Sequence, residues 1–155
     1  MKIQWKKLLP LLAIPLAVGA LSALLSGRMD IYAEMDKPPL SPPGWVFPIV
    51  WTVLYLLMGY SSYLIATAQK PQSEKRGALV LYGAQLAANF VWSLIFFRAQ
   101  LPLAAFVWLV LLWVLIFLTI RAFSKINEKA ADLLIPYLLW VTFAGYLNFG
   151  IFLLN

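Results

Sequence analysis

Five runs of the chain, at 8–25, 45–68, 78–97, 103–120 and 130–154, are apolar along almost their whole length and carry a single charge among them, Asp132. Each is about 18–25 residues long, the length a helix needs to cross the hydrocarbon of a bilayer. Hydrocarbon offers no water to a bare N–H or C=O, so only helices and closed barrels cross it. The runs lack the apolar–polar alternation of membrane strands. The expected fold is therefore an all-α integral membrane protein, one domain over 1–155 built as a bundle of five transmembrane helices. Composition agrees: 63% of residues are hydrophobic and 12% charged, with a mean hydropathy of +0.85. Soluble domains are nearer half apolar and a quarter charged.

The basic leader before the first run, followed by an apolar middle and small residues at Ala20 and Ser22, also has the order of a signal peptide. The run is long for one, so it is read as a span. Lysine and arginine then orient the bundle. Lys2, Lys6, Lys7, Lys70, Lys75, Arg76, Arg121, Lys125 and Lys129 fall on the N-terminal side of a five-span protein, against Arg28, Lys37 and Arg98 on the other. Positive charge stays inside. The N-terminus is expected in the cytoplasm and the C-terminus outside. The net charge of +6 is accounted for by this asymmetry and does not call for nucleic acid as a partner.

No cysteine or histidine is present. Disulfides, Cys/His zinc sites, the Ser-His-Asp triad and haem held by His or Cys are excluded. No metal site is expected and no cofactor is required.

The stretch 35–63 joins a first loop, 28–44, to the second span. Pro38, Pro39, Pro42 and Pro43 break any helix there, and an aromatic, uncharged segment follows. Such a loop is either an interfacial turn with an aromatic belt or a binding loop on a rigid scaffold. In the third span Gln85, Asn89, Trp92 and Ser93 share a helical face. Trp140, Ala144, Leu147 and Asn148 do so in the fifth, and Trp51, Tyr55 and Met58 in the second. These stripes fit either helix–helix hydrogen bonding and packing or the walls of an apolar small-molecule pocket. Gly83 and Ala87 form a small-xxx-small pair, which lets helices approach closely.

The segments KPPLSPPGWVFPIVWTVLY at 37–55, MGYSSYL at 58–64, GAQLAANFVWSLIFF at 83–97 and IPYLLWVTFAGYLN at 135–148 carry a resemblance over nearly the whole chain. The chain resembles the translocator protein family, also called tryptophan-rich sensory proteins or peripheral-type benzodiazepine receptors, in its bacterial form. The resemblance implies a bacterial cell membrane, a homodimer in contact through Gly83 and Ala87, and a pocket closed by the first loop. It also implies porphyrins, benzodiazepine-type drugs and other hydrophobic molecules as ligands. Family pocket positions fall on Trp51, Asn89, Trp140, Ala144 and Asn148, with Trp45, Phe47, Phe90, Trp92 and Phe143 at neighbouring aromatic positions. Two departures are visible. Leu40 stands where the family's KPxW loop motif has Trp, and Phe149 and Leu153 stand where animal members place the Tyr and Arg of a sterol-recognition pattern.

Three functions then compete. The favoured one is a membrane receptor or sensor that binds a tetrapyrrole of the protoporphyrin type. The second is an enzyme that breaks porphyrin down with light; without ordinary acid–base residues, its chemistry would fall to Trp51 and Trp140. The third, a transporter, is disfavoured by the absence of internal repeats and the near absence of charges within the spans. Porphyrin propionates are costly to bury unpaired, and Arg28 or Lys37 is the expected contact for them at the pocket mouth, unless both only anchor the loop at the membrane interface.

Overall fold

A computed structural model describes residues 2–27 and 29–155. Helix α1 is Trp5–Ser26, α2 Val46–Ala66 and α3 Gln72–Ser93, which runs on through a π-helical turn, Leu94–Arg98. Helix α4 is Pro102–Ser124; α5, Glu128–Leu133, and α6, Ile135–Leu154, together form the last span. A 3-10 turn, Met29–Glu34, opens the first loop. Five of these segments are long and apolar enough to cross a membrane. The chain is an all-α membrane protein, as expected.

Helix boundaries and hydrophobic boundaries differ where the chain meets water. Helix α3 starts six residues before its apolar run, because Pro71 leaves Gln72, Ser73, Glu74 and Lys75 free to form a solvated first turn. Glu74 suits the positive end of that helix. The last span starts at Glu128, where the Asn127 side chain accepts from the N–H groups of Lys129 (2.9 Å) and Ala130 (3.3 Å). It breaks at Leu134, since Pro136 has no N–H to continue the ladder.

Around the bundle α1 lies beside α2, α2 beside α5, and α4 between the last span and α3; α3 closes the ring against α1. Met58, Ile65, Leu112, Ile116, Phe123, Leu134 and Val141 fill the centre. Val107, Val110, Leu111 and Leu118 of α4 face outward and are apolar too. A helix apolar all round is what a lipid-facing span requires.

The α1–α2 contact follows from two residues. Pro15 lacks the N–H that the Leu11 carbonyl would otherwise accept. That carbonyl faces Gly59 of α2, where a Cβ would stand 2.8 Å from the oxygen and 2.7 Å from Leu12 Cα. Only glycine lets the backbones meet there. The Gln4 N–H donates to the Tyr63 hydroxyl (2.9 Å) and ties one end of the pair. At the other end of α1, an Arg98 Nη1 proton goes to Leu25 O (2.8 Å), which joins α1 to α3.

Candidate functional site: a charge-free aromatic cavity under the first loop

The cavity occupies the half of the bundle nearest the first loop. Its volume is about 500 Å³, and α1, α2, α3, α6 and the loop all line it. That lies within the usual range for small-molecule pockets, roughly 300–1,000 Å³.

Two aromatic walls face into it. On α2 and α6 stand Phe47, Trp51, Tyr55 and Trp140. Trp51 stacks on Tyr55 with ring centroids 5.5 Å apart, and Phe47 meets Trp140 edge-on at 5.8 Å. On α3 stand Trp92, Phe96 and Phe97; Trp92 stacks on Phe96 at 5.3 Å and meets Phe97 edge-on at 6.0 Å. The π-helical turn starting at Leu94 packs Phe97 beside Phe96, at 4.8 Å. Small residues of α1, Gly19, Ala20 and Ala23, complete the lining.

None of the lining side chains is ionisable at neutral pH, and most of the polar ones are already engaged, although Trp140 Nε1 is buried without a partner. Ser22 donates to Gly19 O, Thr52 to Pro48 O and Ser93 to Phe90 O, each back onto its own helix. Asn89 Oδ1 accepts from the Tyr55 hydroxyl (3.3 Å), and its Nδ2 donates to the Tyr137 hydroxyl (2.7 Å). Tyr137 in turn donates to Gln85 Oε1 (2.7 Å). Asn148 Oδ1 accepts from Trp92 Nε1 (3.0 Å), and its Nδ2 donates to Pro102 O (2.8 Å). The amides therefore stitch α2, α3 and α6 together. What they leave to an occupant is shape and aromatic surface.

The first loop is laced to α6. Tyr146 donates its hydroxyl proton to Pro39 O, and Asn155 Nδ2 donates to Asp36 O (2.8 Å). Between them Pro38 rests on Gly150, where a Cβ would come within 2.5 Å of Pro38 Cγ. Inside the loop the Tyr32 hydroxyl donates to Pro42 O (2.7 Å) while its ring lines the cavity and packs edge-on against Phe47 at 4.9 Å. Burial raises the pKa of this phenol above its ordinary value, with Ser41 partly opposing, so it stays a donor.

The residues singled out from sequence separate into three groups. Phe47, Trp51, Asn89, Trp92, Trp140, Ala144 and Asn148 all line the one cavity. Phe143 packs behind Trp140, at 5.5 Å. Trp45 and Phe90 are not among the lining residues; Trp45 sits at the start of α2, 69% exposed. Lys37 stays in the loop: its ammonium donates to Tyr32 O (3.0 Å) and Met35 O (3.1 Å) and lies over the Tyr32 ring. Arg28 lies outside the described residues. Gly83 and Ala87 are exposed on the outer face of α3, and a Cβ at Gly83 would meet nothing within 4 Å. Leu40, at the position of the missing loop indole, is 84% exposed with φ of 70°, a conformation that a branched side chain rarely adopts.

Sequence reasoning missed Tyr32, Phe96, Phe97 and the α1 wall. The run AVGALSA at 17–23 was the available signal for the last: four of its seven residues are Ala or Gly, which leaves room for a neighbour.

Residues 11–154 match the TspO/MBR family. The chain belongs to the TspO/MBR family. The tryptophan-rich protein TspO of Chlorobaculum tepidum is 44% identical over 80% of this chain and 78% of its own length. The tryptophan-rich sensory protein of Cereibacter sphaeroides is 36% identical over 100% and 95%. The translocator protein of Ovis aries is 41% identical over 76% and 70%.

In this TspO/MBR chain one residue outside the cavity holds its wall together. Tyr137→Phe would keep the ring against Trp51 (6.1 Å) and leave Asn89 Nδ2 and Gln85 Oε1 unpaired. The expected cost is about 1–2 kcal/mol, since unpaired buried groups lose partners they cannot replace. Thermal unfolding of the purified variant checks this; a midpoint equal to the parent's would contradict it.

Proposed function

We propose that the protein is a membrane receptor of the sensor type that takes a porphyrin, or another flat hydrophobic molecule, into the cavity under the first loop. The observation that carries this is the lining itself: aromatic rings on two walls, about 500 Å³ of space, and polar groups that, Trp140 Nε1 apart, are mostly paired within the protein. Offset and edge-on aromatic contacts favour a planar, polarisable body over a flexible one. The same lining makes it unfavourable for a charge to enter, so propionates would stay at the mouth. Lys37 is the described cation on the loop, and meeting a propionate would require its ammonium to give up loop carbonyls.

Quenching of tryptophan fluorescence tests both points. Titration with protoporphyrin is expected to quench saturably at one site per chain. Lys37→Gln should weaken protoporphyrin several-fold and leave its uncharged dimethyl ester unchanged. Quenching that rises linearly without saturation would sink the receptor reading. Equal weakening of acid and ester would sink the role of Lys37 alone.

We also propose that the N-terminus is cytoplasmic and the loop with its cavity faces the opposite side. The nine-to-three division of lysine and arginine supports this. Reporter domains fused at Lys70 and after Asn155 should report opposite compartments. Agreement between the two, or Lys70 outside, would reverse it.

A further inference from the structure

The first loop does not lie flat across the end of the bundle; three contacts fix its path down the side of α6. Asn155, just past the end of α6, holds Asp36: its Nδ2 donates to Asp36 O (2.8 Å) and its Oδ1 accepts from the Asp36 N–H (3.3 Å). Pro38 then rests on Gly150, and Pro39 O accepts from the Tyr146 hydroxyl. Gly150 and Tyr146 precede Asn155 by about 7 and 13 Å of helix, at 1.5 Å per residue. Helical side chains lean towards the N-terminus of their helix, which here points further into the bundle. The last span, Glu128–Leu154, has 27 residues. At about 40 Å it exceeds the roughly 30 Å of hydrocarbon by some 5 Å at each end. The level of Tyr146 therefore falls within the hydrocarbon, and the segment 36–40 descends to it.

The tip of this descent is Leu40. Pro39 and Leu40 form the centre of a tight turn, which the Ser41 hydroxyl closes by donating to Pro38 O (2.7 Å). With φ of 70°, Leu40 stands where glycine or asparagine is the usual choice. Its side chain is 84% exposed, so no contact within the bundle offsets that strain. Tyr146, which holds Pro39, is itself exposed on the outer side of α6. With Phe149 of α6 and Phe106, Val110 and Trp113 of α4 it lines an apolar groove, and Val110 belongs to the lipid-facing side of α4. The backbone of the turn also suits hydrocarbon. Of residues 38–44 four are proline and none is charged. Proline brings no N–H to satisfy. The carbonyls of Pro38, Pro39 and Pro42 accept from Ser41, Tyr146 and Tyr32. Irregular backbone is tolerated at membrane depth only when its polar groups are provided for in this way.

We propose that the first loop is re-entrant and that Leu40 inserts among the acyl chains of the bilayer, anchoring the cover of the cavity to the membrane. Lys37 stays behind with its ammonium on the Tyr32 and Met35 carbonyls, so no charge is carried down with the tip. An apolar side chain in hydrocarbon gains what a water-exposed turn would gain from glycine. The anchor depends neither on which molecule the cavity takes nor on which side of the membrane the loop faces.

The chain has no cysteine, so a single one can be placed and labelled without interference. Leu40→Cys and Glu34→Cys, the latter an exposed loop position before the descent, would each carry a nitroxide in lipid nanodiscs loaded at one chain per disc. A second copy then cannot shield the label. Collision with oxygen, which concentrates in hydrocarbon, is compared with collision with a polar nickel chelate, which hydrocarbon excludes. The oxygen-to-nickel ratio is expected to be about tenfold higher at 40 than at 34. Equal ratios would put Leu40 in water and overturn the proposal. Leu40→Asn gives a label-free check, because asparagine accepts a positive φ more readily than leucine. In water that change relieves strain and raises the unfolding midpoint. In hydrocarbon the amide is costly, and the midpoint in nanodiscs should fall by roughly 2–4 °C. A midpoint equal to or above the parent's would refute the anchor.

Discussion

Inside a bilayer each polar group must find its partner within the protein, and the rest of this structure depends on that constraint. It makes the five spans helical. It turns Ser22, Thr52 and Ser93 back onto their own helices. It pairs Asn89 with Tyr55 and Tyr137, and Asn148 with Trp92 and the Pro102 carbonyl. These bonds cross between helices, so the groups that satisfy the membrane also set the helices apart at the distance that leaves a cavity. The cavity is apolar because most of its polar residues are spent on such bonds, with Trp140 Nε1 left unpaired.

The loop obeys the same constraint by different means. Its prolines carry no N–H, which reduces the number of donors it must satisfy. Its carbonyls are taken up by Lys37, Tyr146 and Asn155. Gly150 admits Pro38 against α6, and Tyr32 hangs from the loop into the cavity. A cover tied along one helix and resting on aromatic rings can admit a hydrophobic molecule without carrying charge into the pocket.

Much of this was legible in the chain. Length and apolarity revealed the five spans, and helical spacing put Asn89 beside Trp92 and Asn148 beside Trp140. The family motifs pointed to Trp51, Trp140 and Ala144, all of which line the cavity. Spacing could not tell which stripe faced a cavity and which a neighbour: Gln85 and Asn89 lie one turn apart, yet only Asn89 lines the space. Phe97 escaped because a π-helical turn changes the register that a regular helix would give. Trp45 matched an aromatic position of the family motif beside the pocket residues, but at the very start of α2 it is exposed and points outward. The wall from α1 was hidden because small residues announce close packing and give no sign of what packs against them.

The central claim is that the ligand sits among these walls, and Ala144 offers the most direct test. It lines the cavity from α6, and a phenylalanine there would take up the space between the two aromatic walls. Equilibrium binding of protoporphyrin to Ala144→Phe, measured beside the unfolding midpoint of the free protein, separates occupancy from folding. The account predicts at least a tenfold loss of affinity, about 1.4 kcal/mol, with the midpoint kept. Affinity equal to the parent's in a folded variant would place the ligand elsewhere and contradict it.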